Sequence, residues 1–447
     1  MNILNKETKT AIHTTITIPF MTEKNKAIRV FVALLIVFCL LLPSCSRSID
    51  ITPSVADIRE RSAAAAFLAQ KAEEGGGFIA ADDQRDKASD NNAYLYDNAL
   101  AVVVLVSAGA QGYAEMIADA IVFAQEHDRT FSDGRLRNVY IAGDPKSDSG
   151  RSIAAGKVTV RLPGFWQDGK WQEDSYTVST SAGNMAWTVL ALCAVAKNTS
   201  AEKQAGYLTA AMNAADFVLA LESEHGGFTA GYEGWDDAQI KVTYISTEHN
   251  IDLYVAFTAL YETISGVDES KAIIYKAAAD TAKNFIFTMY DNELGCFYTG
   301  TLDDGKTTSD GVIPLDTNSL AVLALGDELD DPYKTLAFVE GCMAVGAGFD
   351  FSAGDLDGIW NEGTAQIAVC YHMLKSAEKY DAVMDYLKTQ TAKDGSVPAA
   401  DRDGVSTGFV IAGSDILWEY NNVQSISATG WLALAQLGRN PFRLDFE

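Results

Sequence analysis

The chain has 447 residues, 48% hydrophobic and 21% charged, with 60 acidic against 34 basic side chains and a formal charge of −26. A surface this acidic repels phosphate backbones and anionic headgroups, so nucleic acid is not expected as a partner, and polyuronates are disfavoured for the same reason. Neutral sugars or peptides suit it better.

The first 45 residues read as a targeting segment. Lys24, Lys26 and Arg29 form a basic stretch, and an uncharged apolar run follows from Val30 to Leu42. That run is too short to span a bilayer and has the form of a secretory signal. It closes in Leu42-Pro43-Ser44-Cys45, which resembles a bacterial lipoprotein signal. The resemblance implies that Cys45 carries lipid and becomes the mature N-terminus, so the protein would be exported and touch the membrane through the anchor alone. Residues 46–53 read as a tether and 54–447 as the folded domain. Beyond Cys45 there remain 29 basic against 58 acidic residues, a balance of −29.

From residue 54 two kinds of helical text alternate six times. Amphipathic, charged stretches lie near 54–74, 113–128, 201–224, 268–290, 332–345 and 376–391. Stretches apolar nearly all round lie near 97–109, 182–197, 248–264, 316–329, 361–375 and 426–437, and such helices are buried on every side. This alternation predicts an all-α fold, an (α/α)6 toroid of six helical hairpins with the apolar helices as the inner ring. A weak repeat follows several outer helices, as in Gly226-Gly227-Phe228 and Gly295-Cys296-Phe297, where glycine is expected to cap the helix and the aromatic to pack down. Connections from inner to outer helices are short, while those from outer to inner are long. Sites are built on long loops, so the expected mouth is the N-terminal end of the inner ring. The longest loop, 129–181, reads as a small β-hairpin folded over that mouth and carries Trp166, Trp171 and Tyr176.

Five carboxylates start inner helices: Asp97, Glu248, Asp252, Asp316 and Glu362. Each could be a helix-start stabiliser. Converging on one mouth, however, like charges raise at least one pKa. A raised and an ordinary carboxylate together are what glycoside hydrolysis needs. Glu248 is expected as general acid, with Glu362 or Asp97 as base or nucleophile. Asp252 and Asp316 would tune charge or hold hydroxyls. His249, Asn250 and Gln366 lie beside them, and Tyr96, Trp166, Trp187, Trp360 and Trp418 would offer faces to a sugar ring. A two-histidine epimerase mechanism is disfavoured, because His372 lies three turns into its helix. Cys193, Cys342 and Cys370 sit in apolar helical text and Cys296 in a turn, all read as small buried hydrophobes. Asp303-Asp304-Gly305, Asp355-Leu356-Asp357-Gly358 and Asp401-Arg402-Asp403-Gly404 read as turns, without the spacing of a calcium loop. Phosphate-loop, dinucleotide, serine-elbow and zinc signatures are missing, so neither cofactor nor metal is expected.

Several segments are specific. Tyr94 to Ala99, Ser179 to Trp187, Ser246 to Tyr254, Trp360 to Gln366 and Ala428 to Phe442 together resemble a bacterial group of secreted six-hairpin, glycosidase-like proteins. The likeness covers nearly all of 75–442. It implies an (α/α)6 toroid and carbohydrate work, but it carries over no catalytic residue. The expected ligand is a neutral polysaccharide or oligosaccharide and the expected state a monomer. The alternatives are a non-catalytic glycan-binding lipoprotein, a terpene-cyclase-like toroid, which the export signal opposes, and a polysaccharide lyase, which would want basic groups at the mouth.

The Cys45 reading is open to direct test. Metabolic labelling with a fatty acid should mark the wild type and fail to mark Cys45→Ser; label retained in the variant contradicts the motif.

Overall fold

The computed structural model describes residues 52–81, 91–154, 156–410 and 415–444. Cys45 and the targeting segment lie outside them. Among the described residues no helix is long and apolar enough to cross a membrane.

Six inner helices, Leu95–Ser107, Ala182–Ala196, Thr247–Ile264, Leu315–Leu325, Asn361–Met373 and Ile426–Leu437, alternate with six outer ones, Ala63–Gly75, Gln111–Glu126, Ala201–Leu219, Glu269–Thr288, Pro332–Cys342 and Ala377–Gln390. Each inner helix packs on the next, and the sixth packs on the first, so the ring closes. Closure is tight at Gly430 of the sixth helix, where a Cβ would stand 2.9 Å from Leu100 Cδ2 of the first. The (α/α)6 toroid expected from the helical alternation is therefore the fold.

One tie recurs at all six starts. The fourth residue of every inner helix reaches sideways to the backbone of the preceding loop. Asn98 accepts the Ile79 N–H at 2.7 Å and donates to the Ile79 and Tyr94 carbonyls. Asn250 makes the same three bonds with Phe228 and Ser246, and Asn318 with Phe297 and Pro314. Thr364 holds Phe349 and Thr429 holds Val397 with a hydroxyl. At the second helix the Met185 thioether accepts from the Leu136 N–H. Buried backbone groups in a loop need partners, and these side chains supply them. They also set how each loop enters its helix.

Three expectations need correction. The first outer helix is broken at Ser62, which separates Val55–Arg61 from Ala63–Gly75, caps the second segment and donates to Gln436 at 2.6 Å. Only Gly76 caps an outer helix directly. Gly295 instead turns a hairpin between Tyr290–Asp291 and Cys296–Phe297, several residues beyond the helix. The β-hairpin expected in the 129–181 loop is present and is joined by a second, Arg151–Ala154 with Lys157–Val160 and Phe165–Gln167 with Lys170–Gln172, and the loop's Val139–Ile141 strand pairs back with Asn92–Tyr94. Cys193, Cys296 and Cys370 are buried as read, but Cys342, at the end of its outer helix, is exposed.

The tie predicts a mutational pattern. Asn318→Ala strands three buried backbone groups and should destabilise the fold by about 3 kcal/mol or more, since each such group costs roughly 1–3 kcal/mol. Asn318→Thr should recover part of the loss, as Thr364 and Thr429 do this work elsewhere. Urea unfolding midpoints check both, and an alanine variant as stable as the wild type contradicts the role.

Candidate active site

The helical register sorts the helix starts by position. The fourth residue faces the loop. The second and sixth, one turn apart, share another face, and that face turns to the mouth. The second residues are Tyr96, Gly183, Glu248, Asp316, Glu362 and Ser427; the sixth include Trp187, Asp252, Gln366 and Trp431. Asp97, Asn184 and His249 stand third. All five expected carboxylates meet in one pit; burial shifts each upward, and charges within the group add to the shift for Asp97, Glu248, Asp252 and Glu362. Glu362 and Asp252 are buried, whereas Asp97, Glu248 and Asp316 are recessed yet still reached by solvent.

The floor is aromatic. Trp187 meets Tyr96 edge-on at 5.4 Å and Trp431 at 6.0 Å, with Phe442 behind it. Trp431 Nε1 donates to the Tyr96 hydroxyl at 2.9 Å, and that hydroxyl donates to Glu362 Oε1 at 2.7 Å. Gln366 accepts from Ser319 at 2.6 Å beneath.

The electrostatics separate the carboxyls. Burial pushes Glu362 up to about 7, opposed by hydrogen bonds from Ser427 and Tyr96 that favour the anion. Burial and the nearby Glu362 charge raise Asp97 to about 8. Asp316 rises to about 6 through burial, restrained by the Thr317 N–H and hydroxyl. Burial, then the charges of Asp316 and Glu362, lift Glu248 well above the usual range, and no hydrogen bond offsets them. Asp252 is lifted likewise, by burial and by Glu248 and Asp316. Among the described residues, no lysine or arginine acts on any of the five. Burial alone lowers His249 to about 4, so its ring is neutral at neutral pH.

The wall above the second and third inner helices is braced by a buried arginine. Arg137, fully buried, bonds both Asp128 oxygens at 2.7 and 3.0 Å, Asp236 at 2.6 Å and the Val178 carbonyl at 2.7 Å. Beside it Asn138 accepts from Ser181 N–H and Asn184, and donates to the Tyr176 carbonyl. The ring of Tyr176 is exposed at the rim, but its hydroxyl reaches Asn184 and feels Asp97 and Glu248.

Several expected contacts lie elsewhere. Asn250 is spent on backbone and has no group left for a sugar. Trp360 is buried, stacked on Tyr420 at 5.5 Å and against Phe351 at 4.9 Å. Trp166 and Trp418 point outward, 71% and 48% exposed. Tyr420 takes the place given to Trp418: its hydroxyl feels Glu362, Asp316 and Glu248. Trp418 and Tyr420 share one strand, and only packing on Trp360 selects between them. Asp355 and Asp357 do lie in a turn, where they gather with Asp350 within 4.8 Å of one another.

No family model and no curated protein sequence matches the chain. Solved structures do share its fold. A glycosidase variant in complex with glucose aligns at TM-score 0.58 and 12% identity, over 86% of this chain and 98% of its own. An α-amylase from Clostridium perfringens aligns at 0.55 and 11%, over 87% and 98%. Cellobiose 2-epimerase from Bacillus thermoamylovorans aligns at 0.57 and 12%, over 85% and 98%. At these identities the likeness establishes the six-hairpin toroid and nothing finer.

The raised carboxyls make stability depend on pH. Each binds its proton more tightly folded than unfolded, so its contribution is fully present below the ordinary carboxylate pKa of roughly 4. It is lost as pH rises through about 6 for Asp316, 7 for Glu362 and 8 for Asp97. The melting temperature should therefore climb from pH 8 to pH 5. Below that range protonation of Asp128, which Arg137 holds low despite burial, works the other way. Glu362→Gln should flatten the slope between pH 8 and 6; calorimetry showing equal slopes in variant and wild type contradicts the assignment.

Proposed function

We propose that this protein is an exported, lipid-anchored glycoside hydrolase acting on a neutral glycan or oligosaccharide at the N-terminal mouth of its inner ring. One observation carries the reading. Two carboxyls face the same pit in different surroundings: burial and the charges of Asp316 and Glu362 lift Glu248 well above the usual carboxylate range, while Glu362 takes hydrogen bonds from Ser427 and Tyr96 that favour its anion.

In this reading Glu248 protonates the leaving oxygen. Glu362, its anion favoured by Tyr96 and Ser427, activates water or attacks the anomeric carbon. Asp97 lies close enough to Glu362 for each charge to resist the other, so loss of charge at one eases ionisation of its neighbour. Positive charge developing on the sugar ring would face a pit lined by acids and phenols without a cation. The same surroundings are wrong for a lyase, which must neutralise a uronate. The fold is shared with an epimerase as well as with glycosidases, so residues must decide. Here His249 is in the pit, but His372 lies exposed in the last turn of the fifth inner helix, at its far end. His249 and His372 therefore do not flank one sugar. The fold-sharing glycosidase that holds glucose agrees with a neutral ligand, as does the excess of acidic residues. Export and anchoring rest on the basic and apolar stretch ending at Cys45. A monomer is proposed because the ring closes on itself within one chain.

Glu248→Gln and Glu362→Gln should each lower reducing-sugar release from a panel of neutral glycans by at least ~10²-fold, the usual range for loss of an acid–base group. Asp355→Asn, in the rim turn, should leave the rate unchanged. Glutamine keeps the shape and removes the proton chemistry. Near wild-type rates in both glutamine variants would reduce these groups to helix-start stabilisers, and a wild type that binds glycans without releasing sugar would make the protein a glycan receptor.

A further inference from the structure

Asp252 stands one turn below Glu248 on the third inner helix. It is 3% exposed, and neither of its carboxylate oxygens has a hydrogen-bond partner. Among the described residues, six buried side-chain polar atoms lack a partner. Four of them belong to this one helix start: Thr247 Oγ1, His249 Nδ1 and both oxygens of Asp252. Buried polar groups are ordinarily satisfied, and an unpaired carboxyl is among the most expensive to bury. The Trp187 indole approaches Asp252 and favours its anion, but it stands beyond hydrogen-bond distance of either oxygen. The two Asp252 oxygens stand on the face that turns to the pit, where a partner from outside the chain would complete them.

The missing partner must reach both oxygens at once. A metal ion fits poorly. Among the described residues, Asp350, Asp355 and Asp357 bring three ligand atoms within 4.8 Å of one another, and the group around Asp252 does not form such a set. A sugar fits better, because neighbouring ring carbons present two hydroxyls at a spacing that one carboxylate can accept together. Resting on the reading of this pit as a sugar site, we propose that Asp252 bonds two adjacent hydroxyls of the sugar unit seated at the floor, one at each carboxyl oxygen. It thereby selects glycans whose unit there keeps an unmodified vicinal diol. A site built to bond a hydroxyl discriminates strongly against an analogue lacking it, since its own polar group is then left unpaired.

The test uses the folded chain from residue 46 and its melting temperature. The probes are D-glucose, D-mannose and D-galactose at high concentration, each beside monodeoxy analogues. At least one sugar should raise the wild-type melting temperature, and analogues lacking either hydroxyl of one adjacent pair should not. Asp252→Asn should weaken that protection by at least ~10-fold in half-saturating concentration, the loss expected for a buried hydrogen-bonding group left unpaired, while Asp355→Asn, outside the pit, keeps it. Without sugar, Asp252→Leu should melt at or above the wild type, because removing an unpaired buried carboxyl relieves strain that function imposes. Full protection in Asp252→Asn, protection of the wild type by none of the sugars, or melting of both Asp252 variants below the wild type would each overturn the proposal. These outcomes differ from failure of the hydrolase reading, which shows as undiminished turnover in the Glu248 and Glu362 variants.

Discussion

The mouth depends on a sideways bond repeated six times. At the fourth position of every inner helix a short polar side chain, or in one case a thioether, satisfies the backbone of the loop before it. Once that position is committed to the loop, 3.6 residues per turn leaves little choice for the rest. The second and sixth positions must look inward over the ring. The tie thus fixes the face on which chemistry can be placed, and it does so with residues that take no part in chemistry. Ring closure adds the second constraint. Because the sixth helix seats against the first at Gly430, the six inward faces share one pit.

The pit works against the stability of its own fold. Five carboxyls are recessed there without a cation, and most resist ionisation. Helix dipoles at these N-termini favour anions, but burial and mutual repulsion outweigh them by a margin large enough to raise every one of the five. At Glu362 the counterweights are Ser427 and Tyr96, and Tyr96 is itself tied to the floor. Held by the Trp431 indole, its hydroxyl donates to one carboxyl and leaves Glu248 with none. That asymmetry sets Glu248 and Glu362 apart within a cluster of like groups. Elsewhere the chain pairs its charges: Arg137 answers Asp128 and Asp236 in the wall.

Much of this was legible in the sequence. Apolar periodicity marked the six inner helices, and the contrast of short and long loops marked the working rim. Asp97, Glu248, Asp252, Asp316 and Glu362 were readable because acids stand out against apolar text. The sixfold tie was not legible. Its Asn98 and Asn250 stand among site-like neighbours, and its replacements Met185, Thr364 and Thr429 disguise the repeat. Aromatics misled for a related reason. A tryptophan beside a carboxylate in sequence carries no information about which side of a hairpin it faces, so Trp166 and Trp418 were expected inside while Tyr176 and Tyr420 do the reaching. Asn250 looked like a ligand because it lies between Glu248 and Asp252, yet the helical turn points it the other way.

The central claim is that one pit holds a protonated carboxyl and an ionised one side by side. Infrared difference spectroscopy of the resting protein at pH 8 tests it without knowledge of the substrate. The account predicts that Glu248→Gln removes a protonated-carboxyl C=O stretch, while Glu362→Gln removes carboxylate bands. If both substitutions remove carboxylate bands alone, both groups are ionised helix-start charges and the pit has no acid at Glu248.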